Sequence, residues 1–338
     1  MPQTDRLAFA LEAGEITLPE SGPVAVLRAE PSDFLRAVPA DRLHCEQSDR
    51  RLFDRLDAAG LPVEPQLEVS GAALAVVNLT RSKAESRGNA ARALRMLAPG
   101  GLLLLNGNKT DGIDSISREI GRSIPASGSC SKAHGKVVSF PRPDELPDVV
   151  ATWAAEIEVS QTPEGDWTRP GMFSPDGSDP GSQLLAEQFG TSLRGRVADL
   201  GAGWGYLSRA CLAASPAIAQ LDLFEAEMLA LDAARRNVTD PRAEFHWTDV
   251  ASLRKTTAPY DTVIANPPFH LGRAADPEVG AAFIAAAARI LKPSGQFLMV
   301  ANRHLPYEAR LDAAFRHRDQ IAESRDFKVL RATSPRRP

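Results

Sequence analysis

The sequence predicts an α/β protein made of two doubly wound, mostly parallel sheets in tandem, the first a degenerate copy of the second. Three observations carry that reading. Apolar runs of strand length alternate with Ala-rich segments of helical length, the order expected of βαβ units. The block "LAPGGLLLLNGNKT" (97–110) lies over "LKPSGQFLMVANRH" (291–304) at a constant offset of 194, which sets Pro99 on Pro293, Gly101 on Gly295, Asn108 on Asn302 and Lys109 on Arg303. The segment "VADLGAGWGYLSRACLAA" (197–214) reads as apolar strand, glycine-rich turn and helix, and the first half has nothing like it.

A chain of 338 residues is long enough for two domains, each with its own core. Cys45, Cys130 and Cys211 lie far apart with no CxxC pair, which argues against a metal site or a disulfide framework and for a reducing, cytoplasmic setting. Charges break the N-terminal stretch before it reaches signal-peptide length, and no apolar run approaches a membrane span, so neither export nor membrane insertion is expected. The net charge of −4 conceals two basic segments, with ten Lys/Arg against four Asp/Glu between Arg81 and Lys136 and nine against five from Arg303 onward. Such segments either meet a phosphate backbone or are solvated helix faces.

In chain order, the first half is expected over 1–143. Its opening strand lies in "GPVAVLRAEPSDFL", without a glycine loop, and "LAVVNLT" (74–80) resembles "DTVIANP" (261–267); with Asn78 set on Asn266, the second copy has six more residues before the next block. The Pro- and acid-rich "PRPDELPDVV" (141–150) reads as a linker, and the second domain is expected over 150–338.

The turn "DLGAGWG" places Gly201, Gly203 and Gly205 between a strand and the helix from Tyr206. Glycines let the backbone approach a ligand, and the helix N-terminus offers unpaired N–H groups. Nucleotide, dinucleotide and adenosyl-sulfonium cofactors all use such a loop. Asp199 at the strand end sharpens the choice, since a carboxylate there disfavours a pyrophosphate and suits a cationic amino group. Glu225 ends the next strand, placed to accept both hydroxyls of a ribose. Asp222, on the opposite face of that strand, is a lesser candidate. Asp249 in "FHWTDVASL" either accepts from an adenine amino group or caps the following turn.

The fourth strand of the second half runs into "VIANPPFH" (263–270), and proline has no N–H for a ladder, so the strand must stop at about Ala265. An exocyclic amine on a base is a poor nucleophile while its lone pair is delocalised into the ring. Two acceptors aimed at its N–H bonds favour a more tetrahedral nitrogen. Asn266 Oδ1 and the Pro267 carbonyl can be those acceptors, stiffened by Pro267 and Pro268, while Phe269 stacks on a base swung out of its helix. No strong general base is required, and His270 either touches substrate or is structural. Where the second half reads Asn266-Pro267-Pro268, the first reads Asn78-Leu79-Thr80.

Acid with GxGxG, acid after strand two, acid after strand three and NPP after strand four together match the class I S-adenosylmethionine-dependent methyltransferases. "DTVIANPPFHLG", "LMVANRHLPYEARLDAAF" and "FKVLRA" resemble the ribosomal RNA guanine-N2 methyltransferases of the RsmC type and their large-subunit relatives of the RlmG type. "GMFSPDGSDPGSQLLAEQF" (171–189) resembles the family's entry into its catalytic domain, and "LLLLNGNKTDGIDSISREI" with "SKAHGKVVSF" resembles its N-terminal domain.

The resemblance implies two Rossmann-like domains, the first a decayed copy that helps bind or open RNA. It implies methyl transfer from S-adenosyl-L-methionine to guanine N2, on 16S rather than 23S RNA, by a monomer whose partner is ribosomal RNA or the 30S subunit. Asp199, Gly201, Gly203 and Glu225 would hold the cofactor, and Asn266 to Phe269 the guanine. Asp179, Gly181 and Ser182 would line the cofactor pocket, or form a polar turn before a helix. Trp204 departs from the family pattern, being bulky where small residues are usual. Two other functions are conceivable: N-methylation of a protein glutamine or small molecule, and a non-catalytic RNA-binding module, which the intact second-half motifs disfavour.

Overall fold

A computed structural model of the chain describes residues 5–268 and 277–336. It forms two compact units, Met1–Val159 with Arg169–Gly171, and Ser160–Thr168 with Met172–Pro338. The first holds β1 (Val24–Leu27), β2 (Leu43–Glu46), β3 (Val63–Glu64), β4 (Ala72–Asn78), β5 (Leu97–Asn108), β6 (Gly128–Lys132) and β7 (Gly135–Pro141), in the sheet order β3-β2-β1-β4-β5-β7-β6. Strands β1 to β5 pair in parallel, and β7 runs antiparallel to both β5 and β6.

The second unit opens with a hairpin, β8 (Ser160–Gln161) and β9 (Trp167–Thr168). Its sheet contains β10 (Gly195–Leu200), β11 (Ile218–Glu225), β12 (Ala243–Trp247), β13 (Tyr260–Ala265), β14 (Leu291–Asn302), β15 (Phe315–Glu323) and β16 (Phe327–Pro335). Their order, β12-β11-β10-β13-β14-β16-β15, is the order of the first sheet repeated. Each sheet reverses its winding at its first strand, the switch point beside whose carboxyl end ligands bind in doubly wound folds.

The repeat read from the sequence carries into the structure. Helix Lys83–Met96 and β5 match helix Pro277–Ile290 and β14 residue for residue at the offset of 194. The six extra residues of the second copy fall after β13, which ends at Ala265 as its prolines require. Both faces of each sheet are covered by apolar side chains, which accounts for the continuous runs Val24–Leu27 and Val263–Ala265.

The Pro-rich segment lies further from the division between units than its composition suggested. Helix Val149–Ala155 belongs to the first unit, where Val150, Trp153 and Ala154 are buried in the core. Gly88 makes room for this return, because a Cβ there would come 2.3 Å from the Ile157 side chain. Part of the basic charge of 81–136 is also internal. Arg92 makes a two-pronged pair with Glu46, at 2.6 and 2.8 Å, and Arg87 bonds Glu156 at 2.6 Å. Arg81, Lys83, Lys109, Arg118 and Arg122 are exposed. Among the described residues no helix is long and apolar enough to cross a membrane. Trp153→Ala should lower the first unit's stability by about 3–5 kcal/mol, measured by urea denaturation, and a fragment ending at residue 143 should unfold at lower urea than one ending at 159.

Candidate active site

The glycine turn is built by backbone that other residues tolerate poorly. Gly201 and Gly203 sit at φ 71° and 56°, in the left-handed region. At Gly203 a Cβ would meet nothing within 4 Å, so the loop's inner side faces open space. The Gly203 N–H donates to Glu225 Oε2 and the Glu227 N–H to Glu225 Oε1, both at 2.8 Å. Each Glu225 oxygen keeps a lone pair for a ligand. Burial raises this carboxyl above its ordinary value in spite of those N–H groups.

Asp199 is fully buried beneath the loop. Ser208, on helix Tyr206–Ala214, donates to its Oδ2 at 2.7 Å, and Oδ1 has no donor among the described residues. Burial pushes the Asp199 carboxyl up to about 7, the Ser208 bond opposing and the nearby Glu225 reinforcing the rise. Two desolvated carboxylates bonded to no basic side chain among the described residues make a site for a cation. Ser208 escaped the sequence reading, although a buried Asp199 demands a donor and the following helix is the nearest source.

Trp204 does not obstruct the loop. Its side chain is buried against Met172, Ala230 and Ala233 and donates to the Phe173 carbonyl at 3.1 Å. Asn237 joins the same layer, donating to the carbonyls of Trp204 and Trp167 and accepting from the Trp167 N–H. The bulky residue therefore anchors the 167–173 segment to the loop.

At the end of β13, the Asn266 Nδ2 donates to Asp179 Oδ2 at 3.0 Å and to Ser182 Oγ at 2.8 Å. Asn266 Oδ1 is buried without a donor among the described residues. Asp179 also accepts from the Ser182 N–H at 2.9 Å as the cap of helix Pro180–Ala186. Gly181 lets that helix approach Phe327, since a Cβ would lie 2.9 Å from the ring. Pro267 is buried and Pro268 exposed, while Phe269 and His270 lie outside the described residues.

The structure thus groups Asp199, Gly201, Gly203 and Glu225 at one place and Asn266, Asp179 and Ser182 at another, along the carboxyl ends of adjacent strands. Asp249 caps the turn Val250–Ser252, its Oδ1 accepting from the Ala251 N–H at 3.1 Å. Asp222 is a structural hub, holding Tyr260, Arg196, Gln220 and His246 at 2.6 to 3.1 Å. Burial alone would raise its pKa, yet these four donors bring it down to about 2.

Strand registers identify the same positions in the first unit. Arg28 stands where Gly201 does and keeps its left-handed backbone, with φ 54°, and its guanidinium pairs with Glu85 at 3.4 Å. Val26 replaces Asp199, and Gln47 replaces Glu225. Gln47 still accepts from the N–H two residues on, at 2.9 Å, but its amide donates to the Ala29 carbonyl at 2.7 Å. Asn78, matching Asn266, accepts from Asn106 at 2.7 Å and donates to the Arg28 carbonyl at 3.0 Å. The first crevice is satisfied from within, and the second is not.

Asp199→Asn should separate function from stability. A carboxyl whose folded pKa is about 7 stabilises the fold fully below the ordinary 3.8 and loses that contribution as pH rises through 7. The ligand-free Asn variant should therefore melt above the wild type at pH 8, with the gap narrowing steadily as pH falls toward 4, in paired thermal melts.

Residues 167–331 match the family model of the methyltransferase small domain. The chain is 32% identical over 242 residues to the ribosomal RNA small subunit methyltransferase C of Shewanella loihica, covering 70% of this chain and 69% of that protein. The Shewanella oneidensis protein of the same name is 31% identical over 244 residues, covering 70% of each. The solved structure of the T. thermophilus 16S rRNA guanine-N2 methyltransferase RsmC, in complex with AdoMet and guanosine, shares the fold with a TM-score of 0.80 at 24% identity, over 99% of this chain and 92% of that one. At 32% identity over more than two thirds of both chains, the chain belongs to the ribosomal RNA small subunit methyltransferase C family.

Proposed function

We propose that this protein transfers a methyl group from S-adenosylmethionine to the exocyclic N2 of a guanine in 16S ribosomal RNA, acting as a cytoplasmic monomer on RNA of the small subunit. The observation that carries the reading is the Asn266 Oδ1, a buried acceptor with no donor among the described residues at the end of β13. Its relatives are named as methyltransferases of the small-subunit ribosomal RNA.

The residues of the glycine loop fit the cofactor. The unpaired Asp199 Oδ1 and the carboxylate of Glu225 suit a ligand that is cationic at one end and bears a ribose at the other, and the open side of Gly203 admits its backbone-close passage. Bound S-adenosylmethionine supplies an electrophilic sulfonium methyl. Asp249 has one carboxylate oxygen beyond its cap bond, and we assign that oxygen to the adenine amino group.

Asn266 Oδ1 and the Pro267 carbonyl accept the two N–H bonds of the guanine amine. Both acceptors then favour a nitrogen whose lone pair points out of the ring plane and toward the methyl. Once the methyl has transferred, the nitrogen carries a positive charge and its proton passes to water without a strong base. Phe269, assigned by resemblance, stacks on the extruded base. In the first unit, Arg81, Lys83 and Lys109 follow the carboxyl ends of β4 and β5 as exposed cations, and we assign them to RNA phosphates.

Mass-spectrometric mapping of N2-methylguanosine in 16S RNA, after reaction with small subunits from a strain lacking the enzyme, tests the activity. One new modified guanine is expected, and no transfer to any ribosomal substrate would end the proposal. Replacing Arg81, Lys83 and Lys109 together by Glu should weaken RNA binding and flatten its dependence on salt; an unchanged salt slope would remove this surface from the interface.

A further inference from the structure

The contact between Asn266, Asp179 and Ser182 assigns the last two a task other than holding cofactor. An amide has one accepting end and one donating end. A carboxylate can only accept, so the end of Asn266 that faces Asp179 at 3.0 Å must be its NH₂ group, which leaves Oδ1 pointing away. Ser182 Oγ accepts the second amide N–H at 2.8 Å. With both protons committed, a flip of the amide would set its oxygen against the carboxylate and leave the NH₂ where an acceptor is needed.

The first unit shows what happens when the arrangement is dismantled. Helix Arg6–Glu12 packs against β6 and β7 as helix Pro180–Ala186 packs against β15 and β16. Its cap is again an aspartate, Asp5, whose side chain accepts from the N–H three residues on. Ala8 then stands at the position of Ser182, and Asp5 spends its other oxygen on the N–H groups of Asp33 and Phe34. Asn78 is oriented by different partners, its oxygen consumed by Asn106 and its NH₂ given to Arg28. The cap survives there, and the amide clamp does not.

We propose that Asp179 and Ser182 are positioning residues that lock the Asn266 amide with its oxygen toward the substrate amine. This assignment rests on the guanine-N2 reading of the site. It replaces the cofactor-lining role that the resemblance implied for the pair. Helix capping alone would need the Asp179 side chain and the Ser182 main chain, so the side-chain hydroxyl of Ser182 and the acceptor-only character of Asp179 are what the lock adds.

Asp179→Asn keeps a good helix cap and removes the obligatory acceptor, so it tests the lock without removing the cap. Single-turnover transfer to 16S RNA in small subunits, at saturating S-adenosylmethionine, would be measured beside cofactor affinity by calorimetry. Asp179→Asn and Ser182→Ala should each slow transfer by about tenfold or more while cofactor affinity changes by about twofold or less. Combining either with Asn266→Ala should slow transfer no further than Asn266→Ala alone, because the lock acts only through that side chain. Weakened cofactor binding with unimpaired transfer at saturation, or full additivity with Asn266→Ala, would overturn the proposal. If Asn266→Ala itself transfers at the wild-type rate, the guanine-N2 reading of the site fails, and the lock fails with it. That result is distinct from an Asp179→Asn failure in an Asn266-dependent enzyme.

Discussion

Leaving a buried hydrogen-bonding atom unpaired costs a protein about 1–3 kcal/mol, and among the described residues the second unit carries two such oxygens where its strands end, Asp199 Oδ1 and Asn266 Oδ1. Everything around them is arranged so that they stay unpaired. Ser208 takes the other oxygen of Asp199, and Asp179 and Ser182 take the donating end of Asn266. The glycine turn contributes N–H groups to Glu225 instead.

The two units make the point by contrast, because they share strand order, the 14-residue helix before the fifth strand and even a left-handed residue at the same turn. The three acidic or amide positions of the second unit's crevice have each been answered in the first. Valine replaces the buried aspartate, glutamine replaces the half-buried glutamate, and Asn106 donates to Asn78. The second sheet has Val300 at the position of Asn106, which can donate nothing. Fold is thus conserved between the copies by the apolar strand pattern, while a handful of polar exchanges decides which copy can hold a ligand.

Much of this was legible in the chain. The offset of 194 survives as matched helix and strand boundaries, the prolines after Asn266 do stop β13, and Asp199, Gly203 and Glu225 meet as their spacing suggested. What was not legible involves partners far apart in sequence. Asp179 and Ser182 reach Asn266 across 87 and 84 residues, so no local pattern connects them. Arg87 and Arg92 read as free cations until the fold brings them Glu156 and Glu46. The 141–150 segment has a linker's composition, yet the helix that follows is pulled back into the first core by Trp153, a single buried aromatic. Trp204 looked obstructive because direction of a side chain out of a glycine turn cannot be read from its type.

In the proposed reaction Asn266 works because its oxygen has no donor among the described residues. Val300→Asn would place an amide where the first unit has Asn106, and so recreate the internal bond of the inert copy. The decisive measurement is its single-turnover transfer rate on small-subunit 16S RNA, taken on protein that melts cooperatively and binds S-adenosylmethionine with wild-type affinity. The account predicts that transfer falls by about tenfold or more once the acceptor is occupied; transfer at the wild-type rate would contradict it.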